Sequence, residues 1–415
     1  MSSDIPDAPR IADDPFTAPG GWIGDRPMVH ETLRRAGPLV QVEAPAGGPA
    51  WIITDDALAR EVLADPRFAK DPGLAPAHWH GRDPGLQPPA SQLRSLTTLD
   101  GAEHRRLRSA HAPAFTRSRL LAERDRIATI ARELLTGLAE ESARTGHPTD
   151  LVAQFVTRYP LMVICDLLGV PLADPGLAAR ASEAMTHGDA AQAYAGFADL
   201  EAMVAAAIRA SHERNAGTPT DVLAERVRAE LGDVSDHELL YMITGLIFAG
   251  QVTTESFLGF LLAHQLAGHL GAADAGEAVD TFVTEVLRLH PPAPFTLWRF
   301  TTTELDLAGV SLPVGAPVLV DIEGINTDPS RHPTPYVLDS HRRHLPDLTF
   351  GDGPHACIGA QLAQLEARVL VDVLREGFPD AHLAVPFSEL ERDRSGQQSR
   401  RLVSLPTWLR GGQRA

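Results

Sequence analysis

The stretch Phe350-Gly351-Asp352-Gly353-Pro354-His355-Ala356-Cys357-Ile358-Gly359 constrains this chain more than any other part of it. One of the two cysteines in 415 residues lies here, in a loop whose glycines permit tight turns and close approach. The residues that follow place Leu362, Leu365, Val369 and Val373 on one face, which predicts an amphipathic helix from Ile358 to about Arg375. Cys357 then sits at or just before a helix N-terminus, where unpaired backbone N–H groups and the helix dipole favour a thiolate. Gly359 leaves room for a flat group to approach the backbone, and His355 adds a donor beside the sulfur. A zinc site would need three or four clustered ligands, and no CxxC or close Cys/His set accompanies Cys357. A cysteine protease would need a partner base and a differently shaped loop. A buried, inert thiol is the commonest state of a free cysteine, and it suits Cys165 in the apolar run at 161–170. The glycine framing of Cys357 argues for another role: a single thiolate with space around it suits the axial bond to haem iron.

Around this loop the chain reads as mainly α, with a smaller β-rich part contributed by both ends. LVQVE and AWIIT flank a Gly/Pro turn at 44–49 and predict a hairpin, and Asp55 or Asp56 offers an N-cap for the helix after it. Residues 71–90 are too rich in Pro and Gly for regular structure. Helical spacing covers 118–145, 151–168, 175–186, 190–214 and 235–267, and short β-rich pieces follow Pro291. No internal repeat or long linker divides the chain, so one domain over 1–415 is expected, without a fused reductase.

With Lys+Arg 37 against Asp+Glu 54, the formal net charge of −17 repels phosphate backbones and anionic lipid, so nucleic acid and membrane are poor partners. The acidic, proline-containing start lacks the pattern of a signal peptide, and two distant cysteines make no disulfide framework; both point to the cytoplasm. The apolar run within 239–266 lasts about twelve residues before Gln251, Thr253, Thr254 and Glu255 interrupt it. A span needs ~20, so a buried helix is expected.

The loop at 350–359 resembles the haem-binding signature of the cytochromes P-450, haem-thiolate monooxygenases, in their soluble bacterial form. The likeness extends over nearly the whole chain. Glu285-Val286-Leu287-Arg288 looks like the family's Glu-x-x-Arg helix motif, and with Arg342 it implies a buried structural ion network. The resemblance implies haem b with Cys357 as axial thiolate, in a loop that includes Phe350, Gly351 and Gly359. It implies propionate contacts from His104 and Arg108 in DGAEHRRLRS, from Arg299 in FTLWRFT and from His355, while Arg105 and Arg106 face solvent. On the distal helix, Ala249, Gly250, Thr253 and Thr254 in AGQVTT match the small pair and threonine that relay protons to bound O2. The family's acid is missing: Val252 holds its position, and Glu255 lies on another face. A threonine can also simply bond its own i−4 carbonyl.

Proton delivery by a positioned acid is worth orders of magnitude, and valine cannot supply it. Protons would then come through Thr253 and water, from a substrate hydroxyl, or be less tightly controlled, as in oxidative coupling or ring closure. Hydroxylation or epoxidation is the first expectation, and coupling the alternative. Pocket walls are expected from His78, Trp79 and His80, from 185–197, from Gly245 to Ala249, and from Ala293 to Thr296, including Phe295. Mainly apolar, these suit a medium-sized apolar or aromatic molecule, a secondary metabolite by family analogy. No GxGxxG follows a strand, so electrons from NAD(P)H are expected through a separate ferredoxin and its reductase. Arg331, His332, Arg342, Arg343 and His344 form a candidate docking patch. A non-oxygenating haem protein, whether gas sensor, electron carrier or rearrangement catalyst, is the rival class. An electron carrier would need a distal ligand, which Ala249 and Gly250 do not offer. A sensor would need an output domain.

Overall fold

A computed structural model describes residues 8–12, 14–16, 21–79, 92–170, 176, 180, 181, 184, 190–213, 217–271, 276–393 and 400–411. The expected hairpin forms: Leu39–Glu43 pairs antiparallel with Pro49–Ile53, Leu39 opposite Ile53 and Glu43 opposite Pro49. A lone hairpin is marginal in water, and this one is extended from the far end of the chain. Pro49–Ile53 pairs in parallel with Pro317–Val320, which pairs with Arg299–Thr301, which pairs with Phe68–Ala69. The resulting five-stranded sheet therefore carries Arg299 beside the strand that leads into Lys70. Asp55 caps the first helix after the hairpin, its side chain accepting the Leu58 N–H at 2.9 Å.

Most helical expectations hold with shifted ends. The spans 190–214, 235–267 and 358–375 appear as Ala190–His212, Asp236–Leu266 and Ala360–Gly377. The segment 118–145 divides at Glu123 into Arg117–Ala122 and Arg124–Thr145. The segment 151–168 becomes a wide turn, Val152–Val156, before Tyr159–Leu168 starts with Pro160 in its first turn. Most of 175–186 lies outside the described residues, as do Met185, His80 and the rest of 80–90. What is described of 71–79 corrects the expectation of irregular chain: Pro72–Leu74 and Ala77–Trp79 are short 3-10 turns. The helix Pro219–Leu231 lies between the expected helical spans 190–214 and 235–267, where none was expected. Its start is a capping box, with the Asp221 N–H donating to the Thr218 hydroxyl at 3.2 Å and the Thr218 N–H donating to the Asp221 carboxylate at 2.9 Å.

The helix Asp236–Leu266 is the axis of the helical part. It is long and apolar enough to cross a membrane by composition, but 67% of its most apolar window is buried inside the protein. It packs against Tyr159–Leu168, Glu277–Leu289 and Ala360–Gly377. Ile164 lies so close to Gly250 that an added Cβ would meet its Cγ1 at 3.1 Å, so glycine here lets the two helices approach.

On Ala360–Gly377, Glu366 is 1% exposed, and its Oε2 has no partner among the described residues. Burial pushes its carboxyl well above the usual range. The native state therefore keeps a proton that the unfolded chain releases above its ordinary value of ~4.3. Stability from this group is complete below that value and falls as pH rises toward the native value. In urea titrations between pH 5 and 7, Glu366→Gln should gain on the native chain by about 1.4 kcal/mol per pH unit, until the native carboxyl itself ionises. A pH-independent difference would show that Glu366 ionises normally in the fold.

Candidate active site

The cysteine loop is closed by its own backbone. The Cys357 N–H donates to the Phe350 carbonyl at 2.8 Å, and the Ala356 N–H to that of Gly353 at 3.1 Å. Gly351 and Gly353 hold φ of 69° and 68°, the left-handed region that suits glycine. At Gly353 space is restricted as well: a Cβ would lie 2.6 Å from the Leu63 carbonyl oxygen. Asp352 ties the loop to the helix Asp56–Ala64, accepting from Arg60 at 2.5 Å. Phe350 packs against the main hydrophobic core.

Cys357 precedes the helix Ala360–Gly377 by the turn at 358–359. Its side chain is exposed, yet burial by surrounding protein pushes the thiol up, so the sulfur is reached from a recess rather than from the outer surface. The Gly359 and Ala360 N–H groups and the Arg108 charge act in the opposite direction, as expected at a helix start. Burial outweighs them in the protein alone. A cation bound at the sulfur would supply what is lacking. A Cβ on Gly359 would meet only the Cys357 Sγ, at 3.8 Å, so the space beside the sulfur is open. Cys165 is buried, with its thiol pushed up to about 12 by that burial.

Beside the loop, four chain segments bring donors together. His104 and His355 stack with ring centroids 4.0 Å apart. Burial first, then the neighbouring His355 and Arg108, lowers His104 to about 4. Its buried Nε2 has no partner among the described residues. Arg299 is 4% exposed; Nη1 donates to the Phe68 carbonyl at 3.2 Å, and Nε is unpartnered among the described residues. Burial lowers even this guanidinium to about 10. Arg108 is half-buried on the same helix as His104, Gly101–His111, whereas Arg105 and Arg106 are exposed, as expected. Among the described residues, the carboxylate bonded into this cluster is Asp100. It accepts from the Lys70 N–H at 2.6 Å and contacts His355 Nε2 at 3.0 Å instead of capping its own helix. Lys70 and Asp100 were not anticipated from the sequence. Buried cationic groups with unused N–H donors are costly unless an anion meets them, so a group with two carboxylates and a metal able to take the Cys357 sulfur fits these residues.

The distal helix shows a second open face. Between Tyr241 and Leu266 the two exposed residues are Ala249 and Thr253, four apart on one side of an otherwise covered helix. Gly245, one turn earlier, is partly exposed, as is Val252. The Thr253 hydroxyl donates to the Ala249 carbonyl at 2.8 Å, while Thr254 is buried. Glu255 cannot replace the missing acid: it is buried, ion-paired with Arg401 at 3.1 Å and hydrogen-bonded to Gln251 at 3.2 Å. Ala293 keeps partial exposure.

Trp79 and Phe295 do not behave as pocket walls, which corrects that expectation. Trp79 is fully buried, with its indole N–H on the Gly47 carbonyl at 2.8 Å and its ring edge-on to Trp298 at 4.8 Å. Phe295 is 1% exposed and packs against Phe16 and His30. Both fill the core on one face of the sheet. His78 is exposed and shares the Gly47 carbonyl at 2.8 Å.

The ion network forms as anticipated. Glu285 Oε1 accepts from Arg288 Nε at 2.7 Å, and Oε2 accepts from Arg288 Nη2 at 3.0 Å and from Arg342 Nε at 2.8 Å. Arg288 also reaches the Asn326 and Pro335 carbonyls, and Arg342 that of Val337. These bonds draw Arg342 away from the candidate docking patch. Arg331 is paired with Asp56, and His332 is 2% exposed, so Arg343 and His344 remain as its exposed members.

Comparison with known proteins agrees with this arrangement. Residues 277–376 match the family model for Cytochrome P450. The chain is 54% identical over 419 residues to the cytochrome P-450 monooxygenase DoxA of Streptomyces sp. (strain C5), covering 97% of this chain and 99% of that protein. It is 32% identical over 391 residues to the mycinamicin IV hydroxylase/epoxidase of Micromonospora griseorubida, covering 90% and 93%. The tirandamycin C-bound P450 monooxygenase TamI superposes with a TM-score of 0.80 at 29% identity, covering 92% of this chain and 96% of that one. With these relatives, the cysteine loop and the Glu285 network accounted for together, the chain belongs to the cytochrome P450 family of haem-thiolate monooxygenases.

Proposed function

We propose that this enzyme uses Cys357 as the axial ligand of haem b to hydroxylate or epoxidise a medium-sized apolar or aromatic secondary metabolite. The observation that carries the substrate class is the open face of the distal helix, Ala249 and Thr253 with Gly245 one turn away. Small, uncharged residues there leave room for a molecule of some width and offer it little charge. One relative is named for hydroxylating and epoxidising mycinamicin IV, which supports the same class. When bound, the haem supplies activation of O2 and the redox chemistry.

The chain's own residues do the rest. Cys357 holds the iron, with the Gly359 and Ala360 N–H groups at its sulfur. His104, Arg108, Arg299 and His355 hold the two propionates, and Asp100 orients His355. The Thr253 hydroxyl donates a hydrogen bond to the Ala249 carbonyl at rest, leaving its oxygen lone pairs to accept a hydrogen bond from water on the exposed side. That makes Thr253 the proton carrier where Val252 can carry none. Electrons reach the cytoplasmic enzyme from NAD(P)H through a separate ferredoxin and reductase, with Arg343 and His344 the basic residues left to meet an acidic carrier.

The test is turnover of apolar aromatic candidates with a ferredoxin, its reductase, NADPH and 18O2. Hydroxylation or epoxidation leaves the label in the product. A product formed by loss of hydrogen with no label would move the enzyme to the coupling class. Thr253→Ala should lower product formed per NADPH consumed by about a hundredfold, the usual scale for losing a proton donor. Unchanged coupling would remove Thr253 from the relay.

A further inference from the structure

Lys70 lies at the end of the edge strand Phe68–Ala69 and is 8% exposed. A lysine at a strand end can ordinarily run its aliphatic stem along the protein and keep its head in water. This one turns inward. Its ammonium makes one hydrogen bond among the described residues, Nζ donating to the Leu297 carbonyl at 3.3 Å. An ammonium has three N–H donors, so two are unused. The nearest acid does not pair with it: Asp100 accepts the Lys70 backbone N–H and contacts His355. The other charge acting on it is Arg299, whose Nε also has no partner among the described residues. Two buried basic side chains lie side by side, with unused donors and no carboxylate bonded to either head among the described residues, and form a site built for an anion.

We propose that Lys70 is a further propionate-binding residue of this enzyme, closing the set formed by His104, Arg108, Arg299 and His355 from the sheet side. The inference rests on the haem reading above. It has a consequence that the other contacts do not share. Burial, then the Arg299 charge, holds the Lys70 ammonium well below its ordinary range, with Asp100 opposing in part. In the apoprotein the ammonium therefore gives up its proton more readily than an ordinary lysine does. Carboxylates entering beside it favour the charged form, so their binding shifts Lys70 toward its protonated state. The charges that act on it are Arg299 and Asp100, and Asp100 in turn contacts His355 from the cysteine loop. Asp100 and Arg299 contribute fixed charge.

Apoprotein prepared by haem extraction is titrated with ferric protoporphyrin IX at pH 7.5 by calorimetry, in buffers of differing ionisation enthalpy. The native chain should take up more protons than Lys70→Met, since proton exchange at Cys357 and the iron is common to both and cancels in the difference. With ferric protoporphyrin dimethyl ester, which lacks the carboxylates, that difference should vanish. Haem release to excess apomyoglobin should be about tenfold faster for Lys70→Met, the scale of one charge-assisted hydrogen bond. Lys70→Arg should restore slow release without the extra proton uptake. Equal uptake and equal release in native and Lys70→Met protein would overturn the proposal, as would a difference that persists with the diester. If Lys70→Met does not fold, Lys70→Gln is read by the same two measurements. If the native apoprotein itself takes no haem, the haem reading fails, and this shows before any variant is compared.

Discussion

Glu285→Gln is expected to destabilise the fold by about 3 to 5 kcal/mol, the cost of removing one partner from a buried ion network. The carboxylate accepts from two guanidinium groups and from the Asp339 N–H. A glutamine keeps the volume but aims an NH2 group at one of them. Arg288, 2% exposed, cannot turn to water and would stay charged without a counter-ion. The network joins the helix Glu277–Leu289 to the end of the short helix Ile322–Asn326 and to the chain at 335 and 337, so the loss reaches the segment that leads into the cysteine loop. Burial acts to raise the Glu285 carboxyl, but the hydrogen bonds and charges of Arg288 and Arg342 outweigh it and hold it low. Its stabilisation is thus present above the ordinary carboxylate value of ~4.3 and lost as pH falls through the lower native value. Urea unfolding at pH 7 should show the full loss, and the difference between native and variant should shrink under acid. A loss below about 1 kcal/mol would place the network among ordinary surface pairs. A double change of Glu285→Leu with Arg288→Met should recover part of the loss, because the isolated charge is then gone.

The second large effect concerns the sulfur. Cys357→Ser should abolish monooxygenation while leaving the fold nearly intact. The side chain is exposed, the loop is held by the Phe350 carbonyl and the Asp352–Arg60 pair, and serine fits the same backbone. A serine hydroxyl does not provide the thiolate whose electron donation the oxygen chemistry of this family uses. The melting temperature of the variant apoprotein should lie within a few degrees of the native one, since an exposed, nearly isosteric change is worth little.

The parts legible from sequence are those in which local chemistry and local structure coincide. The cysteine loop could be read because glycines, proline and cysteine lie together and run into an amphipathic helix. Glu285 and Arg288 share a helix face, and Asp55 announces its own helix. What could not be read depends on segments far apart in the chain. Lys70 and Leu297 are 227 positions apart, and Lys70 looks like a surface residue until the sheet places it beside Arg299. Trp79 sits in a segment with the composition of a lid, yet its ring is needed against Trp298 and Phe300. Arg331 seemed free to dock a partner because Asp56, which holds it, lies at the other end of the chain. Thr253 carries both of its sequence readings at once: it bonds its i−4 carbonyl, and it stands on the open face of the helix.

The most direct measurement is the absorption spectrum of the purified protein, reduced with dithionite and exposed to carbon monoxide, for the native chain and for Cys357→Ser. Thiolate ligation predicts a strongly red-shifted Soret band in the native protein that is absent from the variant. Absence of haem from the native protein, a band typical of histidine ligation, or a red-shifted band that survives in Cys357→Ser would contradict the assignment of Cys357 as the iron ligand.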